Sequence, residues 1–386
     1  MRIARVSSHV LQYDLKEQLG FSQKYYDTRS THLVRVETDD GIVGWGECFG
    51  PGTIAVANAT IVEKVIAPMI VGMNALEREV VWHCVYNGLR DHARGGMPIQ
   101  ALSGIDIALW DIAGKAAGLP LHQLVGGQFR ERVPVYGYGM MLQRVDDLAA
   151  RFRDEAQQIK AAGFVATKMK IGLGVKQDVK LVESVREAIG PDMGLMVDAN
   201  HCYTTEEAFR VGRELERLDV NWFEEPVAPE DHAGYRYLTT HLDVSISGGE
   251  AEFTRWGWRN LLEKRALDIA QPEVCALGGV SEYLKVLAMA HAHFVPVVNH
   301  VWGSAVAVAA NLHLLTAMPD LPGGAHPASP MLEFDTTDNR FLEELLEVPL
   351  DIRGQVAADG CAAPPTGPGL GIAINEEFMR HFEIDR

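Results

Sequence analysis

The sequence predicts an α/β protein whose larger part is a (β/α)₈ barrel and whose first part is a separate α+β domain. Three observations predict this fold class. The chain has 386 residues, more than one typical domain needs. From residue 133 onward, eight short β-like runs alternate with helical patterns, the count that a closed barrel requires. An ionisable residue lies at the end of seven runs, at intervals of 23 to 33 residues, which matches one strand–helix–strand repeat.

The first 130 residues are expected to form the α+β domain. Residues 1–15 and 32–47 alternate like strands, and Asp39-Asp40-Gly41 supplies a hairpin turn. From about residue 53 to 118 the pattern is helical: residues 105, 108, 109 and 112 form one apolar stripe, and Gly118-Leu119-Pro120 ends the helix. Strands followed by helices are typical of an α+β domain.

Residues 131–350 are expected to form the barrel. Helical patterns such as VKQDVKLVESVREAIG separate most of the β-like runs. The runs cover residues 133–139, 166–172, 194–200, 220–226, 244–250, 266–273, 295–300 and 331–334. The tail, residues 351–386, contains a Gly/Pro turn and a short strand in GPGLGIAIN, and we expect it to return to the first domain.

The composition favours a cytoplasmic protein without nucleic-acid or membrane partners. A formal net charge of −17 argues against both, since they usually require a basic face. The five cysteines are scattered and include no C-x-x-C pair, as in a reducing cytoplasm. The N-terminus lacks the apolar core of a signal peptide, and we expect no apolar run of 18 residues and therefore no membrane span.

Three carboxylates end three successive predicted strands of the barrel: Asp198, Glu224 and Glu250. Because neighbouring parallel strands lie less than about 5 Å apart, these side chains can converge on one point. A single acid at a strand end is usually a solvated residue or a helix cap. Three close carboxylates, however, repel one another unless a cation lies among them, and hard oxygen ligands suit Mg²⁺. We therefore expect a Mg²⁺ site here.

Lys168 and Lys170 end the second predicted strand on the same face, because side chains alternate along a strand. Two solvated surface lysines would be the simpler interpretation. In a barrel, both would instead point inward beside the metal, where Lys168 and the cation can lower the pKa of Lys170. Lys170 is therefore a candidate catalytic base, and Lys168 is a candidate for catalysis and substrate binding.

His300 ends the seventh predicted strand, across the barrel from Lys170. A lone strand-end histidine is more often structural, but at this position it would supply a second base on the opposite face of a bound substrate. Glu273, on the preceding strand, could accept the other imidazole N–H and fix its tautomer. Glu333 ends the eighth strand and could hydrogen-bond a substrate carboxylate as charge develops there.

Together these residues predict an enzyme that removes the proton alpha to a carboxylate. The carboxylate would bind Mg²⁺, with Lys168 and Glu333 helping to stabilise a dianionic enediolate. Lys170 or His300 would remove the proton. Only interactions that strengthen as charge develops accelerate such a step, and a fixed divalent cation meets that requirement.

The chain resembles the enolase superfamily, mandelate racemase subgroup, from end to end. The resemblance rests on G-W-G-E at 44–47, IDIALWDIAGKAAGLPLHQLVGG, Lys168-Met169-Lys170, VDAN, FEEP, GGE and the strand-seven histidine. It implies an α/β fold with a modified TIM barrel, (β/α)₇β, and an α+β capping domain built from the N-terminal region and the C-terminal tail. It also implies a homo-oligomer, an octamer or a dimer.

Within the subgroup, the DANHCYT, FEEPVAPE and HVWGS stretches look most like acid-sugar enzymes, especially galactarolactone cycloisomerase-like members. Such an enzyme would act on a sugar acid or its lactone, as a cycloisomerase or a dehydratase, by removing the α-proton and expelling the β-oxygen. Bases on both faces would also permit racemisation or epimerisation of a 2-hydroxy acid. A barrel that binds ligands without catalysis is a remote alternative, because no ligand or base is missing.

One position departs from the family pattern. The partner of the histidine is usually the Asp of Q-P-D, whereas this chain has Gln271-Pro272-Glu273. The extra methylene lengthens the arm that would hold His300, and small displacements matter in catalysis.

Substrate choice is expected to come from the capping domain. Two loops, 15–30 and 47–52, are candidates for closing over the barrel mouth. Their polar and aromatic residues fit a hydroxylated substrate: Lys24, Tyr25, Tyr26, Arg29, Glu47, Cys48, Phe49 and Gly50. The candidate substrate-binding residues are Lys168, Asn200, Glu333, Tyr25 and Trp302.

Overall fold

The computed structural model describes residues 1–321 and 330–385. These residues form two parts: an antiparallel sheet with helices, here called the cap, and a larger βα barrel. The cap sheet has the order β1-β2-β3. Its strands are β1 (Ile3–Phe21), β2 (Lys24–Thr38) and β3 (Val43–Cys48). The helices that follow are α1 (Thr53–Thr60), a π-helical segment (Ile61–Ile66), α2 (Ala67–Ile70), α3 (Arg78–Leu89), α4 (Met97–Ala117) and α5 (Leu121–Leu124).

The hairpin of β1 and β2 is longer than the sequence predicts. Pairing continues to Phe21, and the chain turns at residues 22–23. The expected loop 15–30 is therefore mostly strand, which corrects the prediction; Tyr25, Tyr26 and Thr28 favour a strand. The predicted turn at Asp39-Asp40-Gly41 is confirmed, because the Gly41 N–H donates to the Thr38 carbonyl over 3.0 Å.

The G-W-G-E motif allows β3 to lie directly on α4. A Cβ atom added to Gly44 would lie 2.1 Å from the carbonyl oxygen of Ala108, and one added to Gly46 would lie 2.0 Å from that of Gly104. Only glycine permits such a close approach of two backbones. The motif is therefore a packing feature of the cap, and it places Glu47 at the end of β3, beside the barrel.

The barrel strands pair in parallel in the order β10-β4-β5-β6-β7-β8-β9. Residues 297 and 300 continue the ring through parallel bridges to Ala270 and Glu273. All eight predicted runs therefore join the sheet, and the predicted fold class is confirmed. The strands are β4 (Val133–Tyr138), β5 (Ala166–Lys170), β6 (Gly194–Asp198), β7 (Trp222–Glu224), β8 (Ser245–Gly248), β9 (Ile269–Ala270) and β10 (Leu332–Asp335).

Helices surround these strands, and side chains fill the barrel. Helix α8 (Thr205–Arg217) begins at a capping box, in which the side chains of Thr204 and Glu207 each accept a hydrogen bond from the other residue's backbone N–H. The interior of the barrel is packed with Tyr136, Ala166, Met196, Trp222 and Val298. The helices are α6 (Leu148–Ala161), α7 (Val175–Ile189), α8 (Thr205–Arg217), α9 (His232–His241), α10 (Thr254–Glu263), α11 (Gly279–Ala292), α12 (Ala305–Ala317), α13 (Arg340–Glu343), α14 (Ile352–Asp359) and α15 (Glu376–Phe382).

The C-terminal segment contacts both parts of the chain. Strand β11 (Cys361–Ala362) pairs antiparallel with β4. Helix α15 lies against β1, and near its end His9 Nδ1 lies 2.9 Å from Glu383 Oε1. The tail therefore reaches the cap, while the divisions of the chain at residues 130 and 350 remain predictions.

Residues Thr53–Ile70 form 18 helical residues with a mean hydropathy of 1.4, long and apolar enough to cross a membrane by length and composition. The expectation that no such apolar run exists is therefore wrong. Val62, Ile66 and Ile70 of this stretch are fully buried in the core of the cap. Packing within the cap accounts for the buried 39% of this stretch, and a single apolar helix is by itself a weak indication of a membrane span.

Candidate active site

The parallel register brings the strand-end residues to one level. Lys170 of β5 pairs with Asp198 of β6, which pairs with Glu224 of β7. Glu250 follows two residues after the end of β8. One carboxylate oxygen from each of Asp198, Glu224 and Glu250 lies within 4.8 Å of the others. The three carboxylates therefore converge as the strand spacing predicts.

These three carboxylates offer a set of hard oxygen donors that fits Mg²⁺. Asp198 and Glu224 are fully buried. Neighbouring donors hold them in place: the Asn200 N–H donates to Asp198 Oδ1 over 2.8 Å, and Gln271 Nε2 donates to Glu224 Oε2 over 2.6 Å. Buried carboxylates this close together favour a cation among them, and the remaining oxygen lone pairs could bind it.

Both predicted lysines reach this cluster. Lys168 Nζ lies 2.5 Å from Glu224 Oε1 and 2.5 Å from Glu333 Oε1, while Lys170 Nζ contacts Asp198. Burial lowers the pKa of each lysine, but the adjacent carboxylates outweigh it and raise both pKa values. The lowered pKa expected for Lys170 assumed a divalent cation. Among these side chains alone, Lys168 lowers the pKa of Lys170, but Asp198 raises it more.

His300 contacts two carboxylates. Its Nδ1 lies 2.8 Å from Glu273 Oε2, and its Nε2 lies 3.1 Å from Glu250 Oε2. The other oxygen of the buried Glu273 accepts the Cys275 N–H over 2.8 Å, which fixes this carboxylate. Burial lowers the pKa of His300, whereas Glu250 and Glu273 raise it to about 10. Glu273 therefore reaches the imidazole even though its arm is one methylene longer than that of the usual Asp.

A cavity of about 300 Å³ lies between the strand ends and the cap. This volume is sufficient for a small ligand. Trp302 packs edge-to-face against Phe49, with ring centroids 5.9 Å apart. The barrel contributes Tyr138, Met141, Lys170, Asn200, His201, Glu250, His300, Trp302 and Glu333. The cap contributes Phe21, Lys24, Tyr26, Thr28, Phe49, Pro51 and Gly52.

Two of the residues predicted at the mouth from what is now β2 lie elsewhere. Tyr25 is not among the residues that line the cavity; the Arg144 guanidinium lies 4.7 Å from the centroid of its ring. Tyr26 lines the cavity instead, because alternate residues of β2 face it. Arg29 is buried in an ion pair with Asp335, at 2.6 Å, which joins β2 to β10. The sequence predicted a loop here, and the strand that replaces it determines which of these side chains face the cavity.

Glu47 links the cap to the barrel and does not close over the mouth. Its buried carboxylate accepts from the Ser304 N–H over 2.9 Å, the Ser304 hydroxyl over 2.6 Å, the Thr31 hydroxyl over 2.6 Å and the Ala307 N–H over 3.0 Å. These N–H groups belong to the start of α12, where a negative charge is favourable. Of the predicted segment 47–52, Phe49, Pro51 and Gly52 line the cavity.

Seven lining residues were not singled out individually from the sequence: Phe21, Thr28, Pro51, Gly52, Tyr138, Met141 and His201. Thr28 lies two residues after Tyr26, so strand alternation would have indicated it once the phase was known. His201 directly follows the VDAN stretch, and its position after a strand end was the available signal. The strand-end rule predicts one charged residue per strand, whereas His201 lies in the turn beyond the end of β6.

Comparisons with known proteins identify the family. Residues 151–378 match the family model Enolase C-terminal domain-like, and residues 15–126 match the model Mandelate racemase / muconate lactonizing enzyme, N-terminal domain. The chain belongs to the enolase superfamily. Within it, the match is to the mandelate racemase / muconate lactonizing enzyme family, as the motifs of the sequence indicate.

Relatives within the enolase superfamily include cycloisomerases and acid-sugar dehydratases. D-galactarolactone cycloisomerase from Agrobacterium fabrum is 40% identical over 384 residues, covering 100% of this chain and 99% of that protein. Arabinonate dehydratase from Saccharolobus solfataricus is 33% identical over 349 residues, covering 90% of this chain and 89% of that protein. A racemase from Streptomyces coelicolor A3(2), solved with bound magnesium, superposes with a TM-score of 0.88 at 29% identity, covering 99% of this chain and 100% of that one.

Proposed function

We propose that this protein is a Mg²⁺-dependent enzyme that removes the proton alpha to the carboxylate of an acid sugar or its lactone and then eliminates the β-oxygen. One observation carries the proposal: Lys170 and His300 line a single cavity beside three converging carboxylates. A cycloisomerase or a dehydratase would result, depending on whether the β-oxygen belongs to a lactone ring or to a hydroxyl group.

Asp198, Glu224 and Glu250 would hold the metal ion. When bound, Mg²⁺ would stabilise the negative charge that develops on the substrate carboxylate. Lys168 is fully buried between Glu224 and Glu333, so its ammonium group is held in a fixed position beside that charge. Preorganised charges of this kind stabilise a transition state without having to reorient during the reaction.

Lys170 or His300 takes the α-proton, and the electron pair of the broken C–H bond forms an enediolate. That pair then forms the bond between the α- and β-carbons, while the electrons of the β C–O bond leave with the oxygen. Glu273 holds the imidazole of His300 and stabilises its charged form. Each base needs proton-transfer distance to the substrate, which a ligand held in this cavity can provide.

Racemisation or epimerisation of a 2-hydroxy acid is a second candidate function. It is favoured by the same two bases, because one could remove a proton from one face while the other returns a proton to the opposite face. Elimination remains the leading proposal, since the relatives at 33% and 40% identity are a dehydratase and a cycloisomerase.

The test is a library of mono- and diacid sugars and their lactones, incubated with the Mg²⁺-loaded protein in D₂O and followed by NMR. Loss of hydroxyl, ring opening and simple α-deuterium exchange distinguish dehydration, cycloisomerisation and epimerisation. Lys170→Ala protein prepared in parallel controls for contaminating enzymes. The absence of both exchange and elimination across the library would contradict the proposal.

A further inference from the structure

A second histidine–carboxylate pair lies beside the strand ends of β6 and β7. His201 lines the cavity, and its Nδ1 lies 3.1 Å from Glu225 Oε2. The Glu225 side chain is 1% exposed. Neither Glu225 Oε2 nor His201 Nδ1 makes a hydrogen bond with residues 1–321 and 330–385, so the two groups interact through charge at this distance. A buried carboxylate is costly unless it is paired, which makes this contact specific to the local fold.

The backbone on both sides of this pair adopts conformations that side chains usually avoid. Asn200, His201 and Glu225 have φ values of +43°, +60° and +42°. The His201 N–H donates to the Glu225 carbonyl over 2.7 Å, which ties the two turns together. Left-handed conformations of non-glycine residues persist only where the surroundings impose them, and they cluster at functional sites.

The tip of the β1–β2 hairpin holds this turn from the cap side. The Ser22 hydroxyl contacts the Ala199 carbonyl at 2.7 Å and the Asn200 carbonyl at 3.0 Å. Gln23 Nε2 donates to the Asn200 carbonyl over 3.1 Å. The position of His201 in the cavity is therefore fixed by residues of both the cap and the barrel.

Asn200 contributes an acceptor next to this imidazole. Its side chain is only 5% exposed and lines the cavity, and Oδ1 has no hydrogen-bond partner among residues 1–321 and 330–385. Buried polar atoms normally have partners, so a partner from a ligand would satisfy this one. An amide oxygen accepts, an imidazole nitrogen can donate or accept, and a hydroxyl group can do both.

We propose that Asn200 Oδ1 and His201, the latter positioned by Glu225, form a subsite for hydroxyl groups of the substrate beyond its α-carbon. One hydroxyl donates to Asn200 Oδ1, and either this hydroxyl or the hydroxyl on the next carbon bonds to His201 Nε2. The substrate class rests on the proposed function. The subsite goes further, because it makes His201 a specificity-determining residue that selects polyhydroxylated acids over deoxy acids.

The experiment measures the dissociation constants of the Mg²⁺-loaded protein for two six-carbon diacids that both keep an α-hydroxycarboxylate. One is the tighter-binding of galactarate and D-glucarate; the other is 2-hydroxyadipate, which lacks the remaining hydroxyl groups. Wild-type protein is expected to prefer the hydroxylated acid by roughly ten-fold or more, because losing hydrogen-bonded hydroxyls leaves buried polar groups without partners.

His201→Phe keeps a planar ring without hydrogen-bonding atoms and is expected to reduce this preference roughly ten-fold, with little change for 2-hydroxyadipate. Glu225→Gln should reduce the preference less, since it weakens only the positioning of the ring. His92→Phe, at an exposed histidine on the cap, is the matched control and should leave both constants unchanged.

Three results would overturn the subsite. In the first, wild-type protein binds neither galactarate nor D-glucarate more tightly than 2-hydroxyadipate. In the second, His201→Phe keeps the wild-type preference. In the third, His201→Phe weakens the binding of both acids equally, as expected if His201 has a purely structural role. If His201→Phe does not fold, by circular dichroism, His201→Leu replaces it, because leucine also lacks hydrogen-bonding atoms and should cause the same loss of preference. These binding measurements do not depend on turnover. A wild-type preference that His201→Phe reduces, found in a protein without any α-proton exchange, would therefore contradict only the proposed reaction.

Discussion

The two walls of the cavity are held in different ways. On the barrel wall, charged groups contact one another: Lys170 meets Asp198, and His300 meets both Glu250 and Glu273. On the cap wall, aromatic and small side chains predominate, and the side chain of Lys24 has no ion-pair or hydrogen-bond partner within residues 1–321 and 330–385. The barrel wall is electrostatically preorganised; the cap wall is not.

This difference assigns separate tasks to the two walls. Fixed charges stabilise a transition state, so the barrel wall is suited to proton removal. Aromatic rings exclude water and shape a binding site, so the cap wall is suited to choosing the substrate. Changes in the barrel wall should therefore reduce turnover, whereas changes in the cap wall should chiefly alter KM.

The largest effect is expected when a base is removed. Lys170→Ala and His300→Asn should each reduce kcat by about 10²- to 10⁴-fold, because each deletes a proton-transfer group. Both should fold, as judged by thermal unfolding, and Lys176→Ala, at an exposed lysine of α7, is the control. If both variants turn over the true substrate at nearly the wild-type rate, neither Lys170 nor His300 is the base.

Removing one carboxylate should weaken metal binding. Asp198→Asn leaves a site of similar shape with one charge fewer, and we expect the dissociation constant for Mg²⁺ to rise by about one to two orders of magnitude. Isothermal titration calorimetry measures this directly. Asp192→Asn, at an exposed position before β6, should bind as wild type does. Unchanged Mg²⁺ binding by Asp198→Asn would exclude Asp198 as a ligand.

The longer arm of Glu273 allows a sharper test of the barrel wall. Glu273→Gln keeps the length but loses the charge that stabilises the imidazolium, and we expect kcat to fall by up to about 10²-fold. Glu273→Asp restores the residue usual in the family but shortens the arm. We expect Glu273→Asp to retain more activity than Glu273→Gln. If both variants are as active as wild type, the contact between Glu273 and His300 has no role in catalysis.

The smallest effect is expected on the cap wall. Phe49 contacts the rings of both His300 and Trp302, at centroid distances of 5.8 Å and 5.9 Å. Phe49→Leu keeps an apolar side chain but loses these ring contacts, so KM should rise by about two- to ten-fold with kcat nearly unchanged. A large loss of kcat without a change in KM would contradict the division between the walls.

The barrel wall could be predicted from the sequence because its geometry follows from strand spacing. Parallel strands of similar length bring Lys170, Asp198 and Glu224 to one level whatever the loops do. The contact between Glu273 and His300 followed from the same rule, since they end neighbouring strands.

The cap wall could not be predicted in this way. Whether Tyr25 or Tyr26 faces the cavity depends on the phase of a long hairpin, and a shift of one residue exchanges the two faces. The role of Glu47 depends on Ser304, 257 positions away in the chain. Glu225 and His201 lie past the strand ends with positive φ, where strand alternation no longer applies.

The central claim is that Asp198, Glu224 and Glu250 hold one metal ion between Lys170 and His300. A crystal structure of the protein grown with Mg²⁺ tests it most directly. We expect a single ion at about 2.0–2.1 Å from one oxygen of each of the three carboxylates, with the two bases on opposite sides of it. An ion bound elsewhere, or any one of the three carboxylates turned away from it, would show that these residues do not form the metal site.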